Sequence, residues 1–310
     1  MTGGKETTFR AFTSQQGSDY AQYRHDYHPR LYNAVIDHHK ATGGQFDALL
    51  DVGCGPGIAV RSLAPLFEYA TAIDPSAGMI ESALAIDNPS AKSGPIRFAV
   101  SSAEFLGADL SPPIPDASID LLTAATAAHW FDMSKFWPRA AEVVKPGGTV
   151  AIWCAVGICI SPTTANHERV QAAIDNFDVL LEDYIVAGNR ISRSEYVDLP
   201  LPWTVEPPVS EFDRDSFVRK EWGQREGLEP GEEFYNVTTA GLGMLEKVMG
   251  TSSPVIRWRE ANPEKAGTEE DVVKMTRREI EEAFRDAGVE KGKEDLRAGV
   301  KGVLLLAKRK

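Results

Sequence analysis

A chain of 310 residues with 43% hydrophobic and 25% charged residues has the balance of a soluble globular protein, long enough for one large domain or one domain with a sizeable insertion. A formal net charge of −12 opposes binding to nucleic-acid phosphates, and no stretch approaches the ~18–20 apolar residues of a membrane span. Three cysteines, Cys54, Cys154 and Cys159, are too few and too ill-spaced for a disulfide framework or a zinc site. An N-terminus reading Met-Thr-Gly-Gly-Lys-Glu lacks the apolar core of a secretory signal. The expectation is a reduced, cytoplasmic protein with no metal, no nucleic-acid partner and no membrane, its oligomeric state left open.

The first dozen residues read as disordered. Tyr20 and Arg24, four apart, share one face of a helix, and the pair His38-His39, with no third partner at metal spacing, reads as solvated helix surface. Ala48 to Val52 is an apolar run that predicts a buried strand over 48–53. It breaks into three glycines at alternate positions, Gly53, Gly55 and Gly57, before a helical pattern from Ile58. Glycine is needed where backbone turns sharply and approaches a ligand with no Cβ in the way. A second apolar run ends at Asp74, and a carboxylate at that strand tip is placed to accept hydrogen bonds from the ribose hydroxyls of a nucleoside. A dinucleotide fingerprint, G-x-G-x-x-G, would need glycine where Ile58 stands. Asp51, two residues before the first glycine, would repel a pyrophosphate and favour a sulfonium or an ammonium.

Further along, strands are predicted at 69–74, 96–101, 119–125 and 148–155, with helices near 58–67, 77–86 and 134–144. That alternation is the pattern of a doubly wound α/β sheet. Lys145-Pro146-Gly147-Gly148 stops the last of these helices and turns the chain into the fifth strand. Beyond Ala155 the regular alternation ends, and prolines, aromatic residues and charges mix. The segment 156–268 reads as a substrate cap inserted over the carboxyl edge of the sheet. A helix over 269–286 carries Val272, Val273, Met275, Ile280 and Phe284 on one broad face. Val300 to Ala307 is a continuous apolar strand suited to a central place in the sheet. The domain expectation is a helical lid (1–45), a cofactor core (46–155), the cap (156–268), and a closing helix and strand (269–310).

Two stretches carry a resemblance. Leu49-Leu50-Asp51-Val52-Gly53-Cys54-Gly55-Pro56-Gly57 and Ala72-Ile73-Asp74-Pro75-Ser76-Ala77-Gly78-Met79-Ile80 resemble the first and second motifs of the class I S-adenosylmethionine-dependent methyltransferases. Three more segments are similar to the trans-aconitate methyltransferase branch. They are Tyr20-Ala21-x-Tyr23-Arg24-x-x-Tyr27-x-Pro29, Thr126-Ala127-Ala128-His129-Trp130-Phe131-Asp132 with Lys145 to Gly148, and Arg257-Trp258-Arg259-Glu260-Ala261-Asn262-Pro263. The chain departs from that branch at His25 and His28, where prolines are usual, and at Thr251-Ser252-Ser253, where Thr-Trp-Ser is common. The resemblance implies a Rossmann-like, seven-stranded, mostly parallel sheet whose last strand inserts antiparallel. It implies S-adenosylmethionine as cofactor, held by Tyr20, Arg24, Asp51, Gly53, Gly55, Gly57, Asp74, Met79, Ala103, Glu104 and Thr126, with Arg24 on its methionine carboxylate. The acceptor implied is a small molecule facing Trp130 and Arg257, with His129 as the candidate catalytic residue.

Methyl transfer is an in-line displacement, and an ionised carboxylate, with a pKa of about 4, needs no general base. O-methylation of a small carboxylic acid is therefore the leading expectation, with Arg190, Arg193, Arg257 and Arg259 as candidate cations. Base-assisted O- or S-methylation of a secondary metabolite, through His129, is the alternative. Two readings from other classes stay open: an NAD(P)-dependent oxidoreductase, and a nucleoside-binding protein without turnover.

Overall fold

A computed structural model describes residues 8–86, 90–223, 233–235 and 241–310, with backbone alone at 239 and 240. Two helices lead into the sheet. The first, α1 (Ser14–Tyr23), starts at Thr13, whose hydroxyl and backbone exchange hydrogen bonds with Gln16 in a capping box. The second, α2 (Pro29–Ala41), starts at His28, whose ring accepts from the Arg30 amide, with Pro29 at the first helical position. Alternating elements follow: β1 (Ala48–Val52), α3 (Ile58–Leu63), β2 (Tyr69–Asp74), α4 (Ala77–Ala85), β3 (Arg97–Val100), β4 (Ile119–Ala125), α5 (Met133–Val143) and β5 (Val144–Ile160). The rest of the chain holds α6 (His167–Leu180), α7 (Ala187–Arg193), β6 (Phe212–Trp222), β7 (Thr239–Ala240), α8 (Leu242–Gly250), α9 (Ser253–Ala261), α10 (Val272–Asp286) and β8 (Leu296–Arg309).

The strands form a mixed sheet in the order β3-β2-β1-β4-β5-β8-β6, with the short β7 pairing β8 off that path. The first five are parallel neighbours. β8 enters antiparallel between β5 and β6. Its run Val303 to Ala307 is buried throughout, which is why the sequence there is apolar without alternation. On β1, Leu50 and Val52 join the apolar cluster on one face while Leu49 joins the cluster on the other. A third cluster, with Val170, Phe177, Leu245, Met249, Ile280 and Phe284 among its members, packs α6, α8 and α10 together beyond the sheet.

Several expectations need correction. The segment 156–268 contains β6, a strand of the core sheet that the predicted strands omit. Its run Asp213-Arg214-Asp215 and its Arg219-Lys220-Glu221 obscure the strand pattern, and both are tolerated because β6 lies at the sheet edge. Residues 145–148 lie inside β5 as a bulge. Ile119 pairs Val144 and Leu121 pairs Thr149, so the extra residues loop out around Gly147 at φ +80. His39 is not solvated: it is fully buried, its Nδ1 2.8 Å from Thr149 Oγ1 and its Nε2 2.7 Å from the Gln45 carbonyl. Of the first dozen residues, 1–7 lie outside the described residues, but Phe12 is buried and Phe9 packs edge-on against Tyr20 and Trp130. Among the described residues no helix is long and apolar enough to cross a membrane.

Candidate functional site

The site grows from the carboxyl ends of β1, β2 and β4, where open α/β sheets bind ligands. The chain leaves β1 through Gly53, Gly55 and Gly57, at φ +65, +53 and +87. A Cβ on Gly53 would stand 2.6 Å from that of Ala127, so only hydrogen fits there. A Cβ on Gly55 would meet nothing within 4 Å; its bare backbone faces open space. Asp74 closes this floor. Its Oδ2 accepts the Gly55 amide at 2.9 Å and its Oδ1 accepts the Ser76 amide at 2.8 Å. These two bonds fix the carboxylate at the tip of β2, on the rim of the glycine turn.

Above this floor lies a cavity of about 300 Å³, at the lower end of the roughly 300–1,000 Å³ typical of small-molecule sites. Of the predicted site residues, Tyr20, Arg24, Gly53, Gly55, Asp74, Met79, Ala103, Glu104, Thr126, His129 and Trp130 all line it. Three do not. Gly57 caps α3, its would-be Cβ blocked by Arg61 and Phe98. Asp51 is fully buried outside the wall, taking a 2.6 Å hydrogen bond from Thr123 on Oδ1, while Oδ2 has no partner among the described residues. Burial, followed by repulsion from Asp74, pushes Asp51 up to about 7 against the pull of its hydrogen bonds. Arg257 sits behind the wall, donating to the Tyr184 carbonyl, Thr8, Asn189 and Ser253; the last two face the cavity.

The polar groups in the wall are distinct in kind. Arg24 is half-buried, its guanidinium 4.9 Å from the Tyr20 ring centroid and its Nε donating to Thr251. Burial alone would raise the Glu104 carboxyl, but hydrogen bonds from Ser102 and the Asp132 amide outweigh it and hold Glu104 below the usual range. His129 is 8% exposed, with Nδ1 2.9 Å from the Tyr196 hydroxyl. Burial lowers it to about 3, so it is a neutral ring throughout the physiological range. Thr126 carries φ +52, an unfavourable backbone for a β-branched residue, and its hydroxyl is 2.8 Å from that of Tyr27.

Sequence reasoning passed over Phe9, Arg10, Tyr27, Asn189 and Ser252, all of which line the cavity. Tyr27 lay within the quoted N-terminal motif; Asn189 reaches the wall only through the packing of α7. The candidate cations are engaged elsewhere: Arg190 and Arg193 with Glu182, and Arg259 with Asp271. Among the described residues, Arg10 and Arg24 are the guanidinium groups of the wall. No group of three His, Cys, Asp or Glu side chains placed for a metal exists among them.

Residues 50–152 match the model of the methyltransferase domain family. A Dictyostelium discoideum protein provisionally named a methyltransferase is 29% identical over 180 residues, covering 58% of this chain and 62% of its own length. A Saccharomyces cerevisiae protein named a probable S-adenosylmethionine-dependent methyltransferase is 30% identical over 138 residues, 44% of this chain and 45% of its own. An Aspergillus candidus methyltransferase is 33% identical over 147 residues, 47% of this chain and 44% of its own. The chain thus spans less than two thirds of the length of the curated relatives it matches. An Anaeromyxobacter dehalogenans structure, provisionally described as a type II methyltransferase, aligns over 93% of this chain and 97% of its own with a TM-score of 0.58 at 22% identity. That likeness shows the fold.

Proposed function

From the methyltransferase domain carried by residues 50–152, we propose that the protein transfers a methyl group from S-adenosylmethionine to a small molecule, most simply to an oxygen of a carboxylic acid. The observation that carries this reading is the floor of the cavity: bare Gly55 backbone beside the Asp74 carboxylate at the tip of β2, placed to face the ribose hydroxyls of a nucleoside. Met79, Ala103 and Glu104 stand beside that floor for the adenine, and Arg24 takes the methionine carboxylate as a charge-assisted pair. S-adenosylmethionine, held by Arg24, Asp74 and the Gly53–Gly55 backbone, would supply a methyl on a sulfonium for in-line transfer, and an ionised carboxylate acceptor would have no proton to remove.

The protein's part is therefore positioning and the exclusion of water. Phe9, Tyr20 and Arg24 close the cavity from the N-terminal segment, while Asn189, Ser252 and Ser253 close it from α7 and the start of α9. These two covers, lid and cap, keep the acceptor in a dry pocket. His129 is a hydrogen-bonding wall residue here, not a base. A ring lowered to about 3 has little affinity for a proton at neutral pH. The base-assisted alternative would need a base other than His129.

The test has two arms. Calorimetry should show S-adenosylmethionine and its demethylated product binding at micromolar affinity or tighter. Incubation with carboxylic acids, phenols and thiols should give a one-methyl mass gain on the acids. Turnover restricted to phenols or thiols would refute the carboxylate assignment, and no cofactor binding would refute the whole.

A further inference from the structure

A second cavity, also of about 300 Å³, lies beside the first and shares Arg24, Ala155 and Ser252 with it. Its wall is of another kind. Ile158 comes from the extended end of β5, Phe177 from α6, and Leu245, Val248 and Met249 from α8. Among the described residues, the ionisable groups in this wall are Arg24, His25, Glu233 and the Tyr235 phenol, which burial raises to about 12 and so keeps neutral. Glu233 is paired with Arg30 at 3.2 Å, and His25 is held toward its neutral form by burial and by Arg24. Arg24 is thus the fixed positive charge at the junction of the two cavities.

Arg24 also has donors to spare. A guanidinium has five N–H groups; Nε is used by Thr251, which leaves the Nη groups for ligands on both sides among the described residues. Ser252, at the same junction, has a buried hydroxyl with no partner among the described residues. An apolar wall with one cation at its mouth suits a ligand that is apolar along its body and anionic at one end. A second carboxylate placed among Ile158, Phe177, Leu245, Val248 and Met249 would lose its hydration to apolar side chains.

We propose that the second cavity holds the apolar body of the methyl acceptor, a monocarboxylate bearing an aliphatic chain or ring, with its carboxylate at the junction beside Arg24 and Ser252. The assignment rests on the reading of the first cavity as the cofactor site. It sets the acceptor class apart from small polycarboxylic acids. The size of the cavity, set by α6 and α8, then limits the chain length.

Straight-chain acids from two to ten carbons, with the full-length protein, test this directly. Two readouts are needed: kcat/KM for methylation, and calorimetric binding of octanoate to protein saturated with S-adenosylhomocysteine. Both should strengthen up to about fourfold per added methylene until the cavity is full. Val248→Trp, at a half-buried wall position, should weaken octanoate binding at least tenfold and lower octanoate turnover at least tenfold more than acetate turnover, with S-adenosylhomocysteine affinity as the control for folding. Ile158→Trp should act alike, so misfolding of one variant leaves the other to report. A response flat in chain length, stronger binding of a tricarboxylate than of octanoate, or equal losses for acetate and octanoate would overturn the acceptor assignment. Absence of S-adenosylhomocysteine binding in the parent protein would instead overturn the cofactor reading beneath it.

Discussion

The two cavities that meet at Arg24 are built from different material. The first is made largely of backbone and short side chains at strand ends: Gly53, Gly55, Asp74, Ala103 and Thr126. Each is fixed by the turn it occupies, and three of them, Gly53, Gly55 and Thr126, sit at positive φ. The second is made largely of long apolar side chains from β5, α6 and α8, elements far apart in sequence, with Gly157 at φ +61 its one positive-φ position among the described residues. The contrast separates two ways of binding a small molecule. On the proposed reading, one would hold a polar ligand by backbone placement and the other would select by volume and desolvation.

If that contrast is right, single substitutions in the two regions should fail differently. The largest effect belongs to Asp74. Its carboxylate pins the Gly55 and Ser76 amides, and two charge-assisted bonds to a ligand are each worth roughly 1.5–3 kcal/mol. Asp74→Ala should therefore weaken cofactor binding at least about a hundredfold in calorimetry, with circular dichroism unchanged. Gly53→Ala should cost about 2–3 kcal/mol of stability in urea, because strain at φ +65 adds to a 2.6 Å clash with Ala127. Gly147→Ala, at φ +80 but with nothing within 4 Å, should cost only about 1–2 kcal/mol. Equal costs at the two glycines would mean that the loop is looser than its geometry implies.

Asp51 gives a pH signature. Its folded value of about 7 lies above its ordinary 3.8, so between those limits the folded state binds more protons than the unfolded one. Stability must fall as pH rises through that window. From pH 5 to 7 the loss should be about 2 kcal/mol, and Asp51→Asn should remove it. His129 works with the opposite sign, since its folded value of about 3 lies below 6.5 and stability is lost as pH falls through that range. The difference between Asp51→Asn and the parent protein isolates the Asp51 share, and parallel pH curves would contradict its buried, half-satisfied setting. The smallest effect is expected at His129 itself. His129→Ala should keep turnover within about tenfold, with a rate nearly flat from pH 6 to 9, because a neutral ring takes no proton.

The same contrast explains what could be read from the sequence. The glycine register, the acidic strand end and the alternation from Ala48 to Ala155 report backbone requirements, and local residues encode those. The match to the methyltransferase domain falls on the same stretch, 50–152. β6 was missed because an edge strand can expose charges such as Asp213, Arg214 and Lys220, so its pattern lacks the apolar run that marks buried strands. His39 was misread because its partners, Thr149 and the Gln45 carbonyl, are supplied by another strand and a loop. Arg257 was assigned to the acceptor from a motif, yet its guanidinium braces Asn189 and Ser253 from behind. The second cavity left no local signal, since Phe177, Leu245 and Met249 are ordinary core residues until α6 and α8 are placed against β5.

The central claim is that the Gly55–Asp74 floor holds an adenosyl sulfonium rather than a dinucleotide. Calorimetric titration of the purified protein with S-adenosylmethionine and, separately, with NAD tests it most directly. The account predicts saturable heat for S-adenosylmethionine at micromolar concentrations, lost in Asp74→Ala, and none for NAD. Saturable heat for NAD with none for S-adenosylmethionine would contradict it.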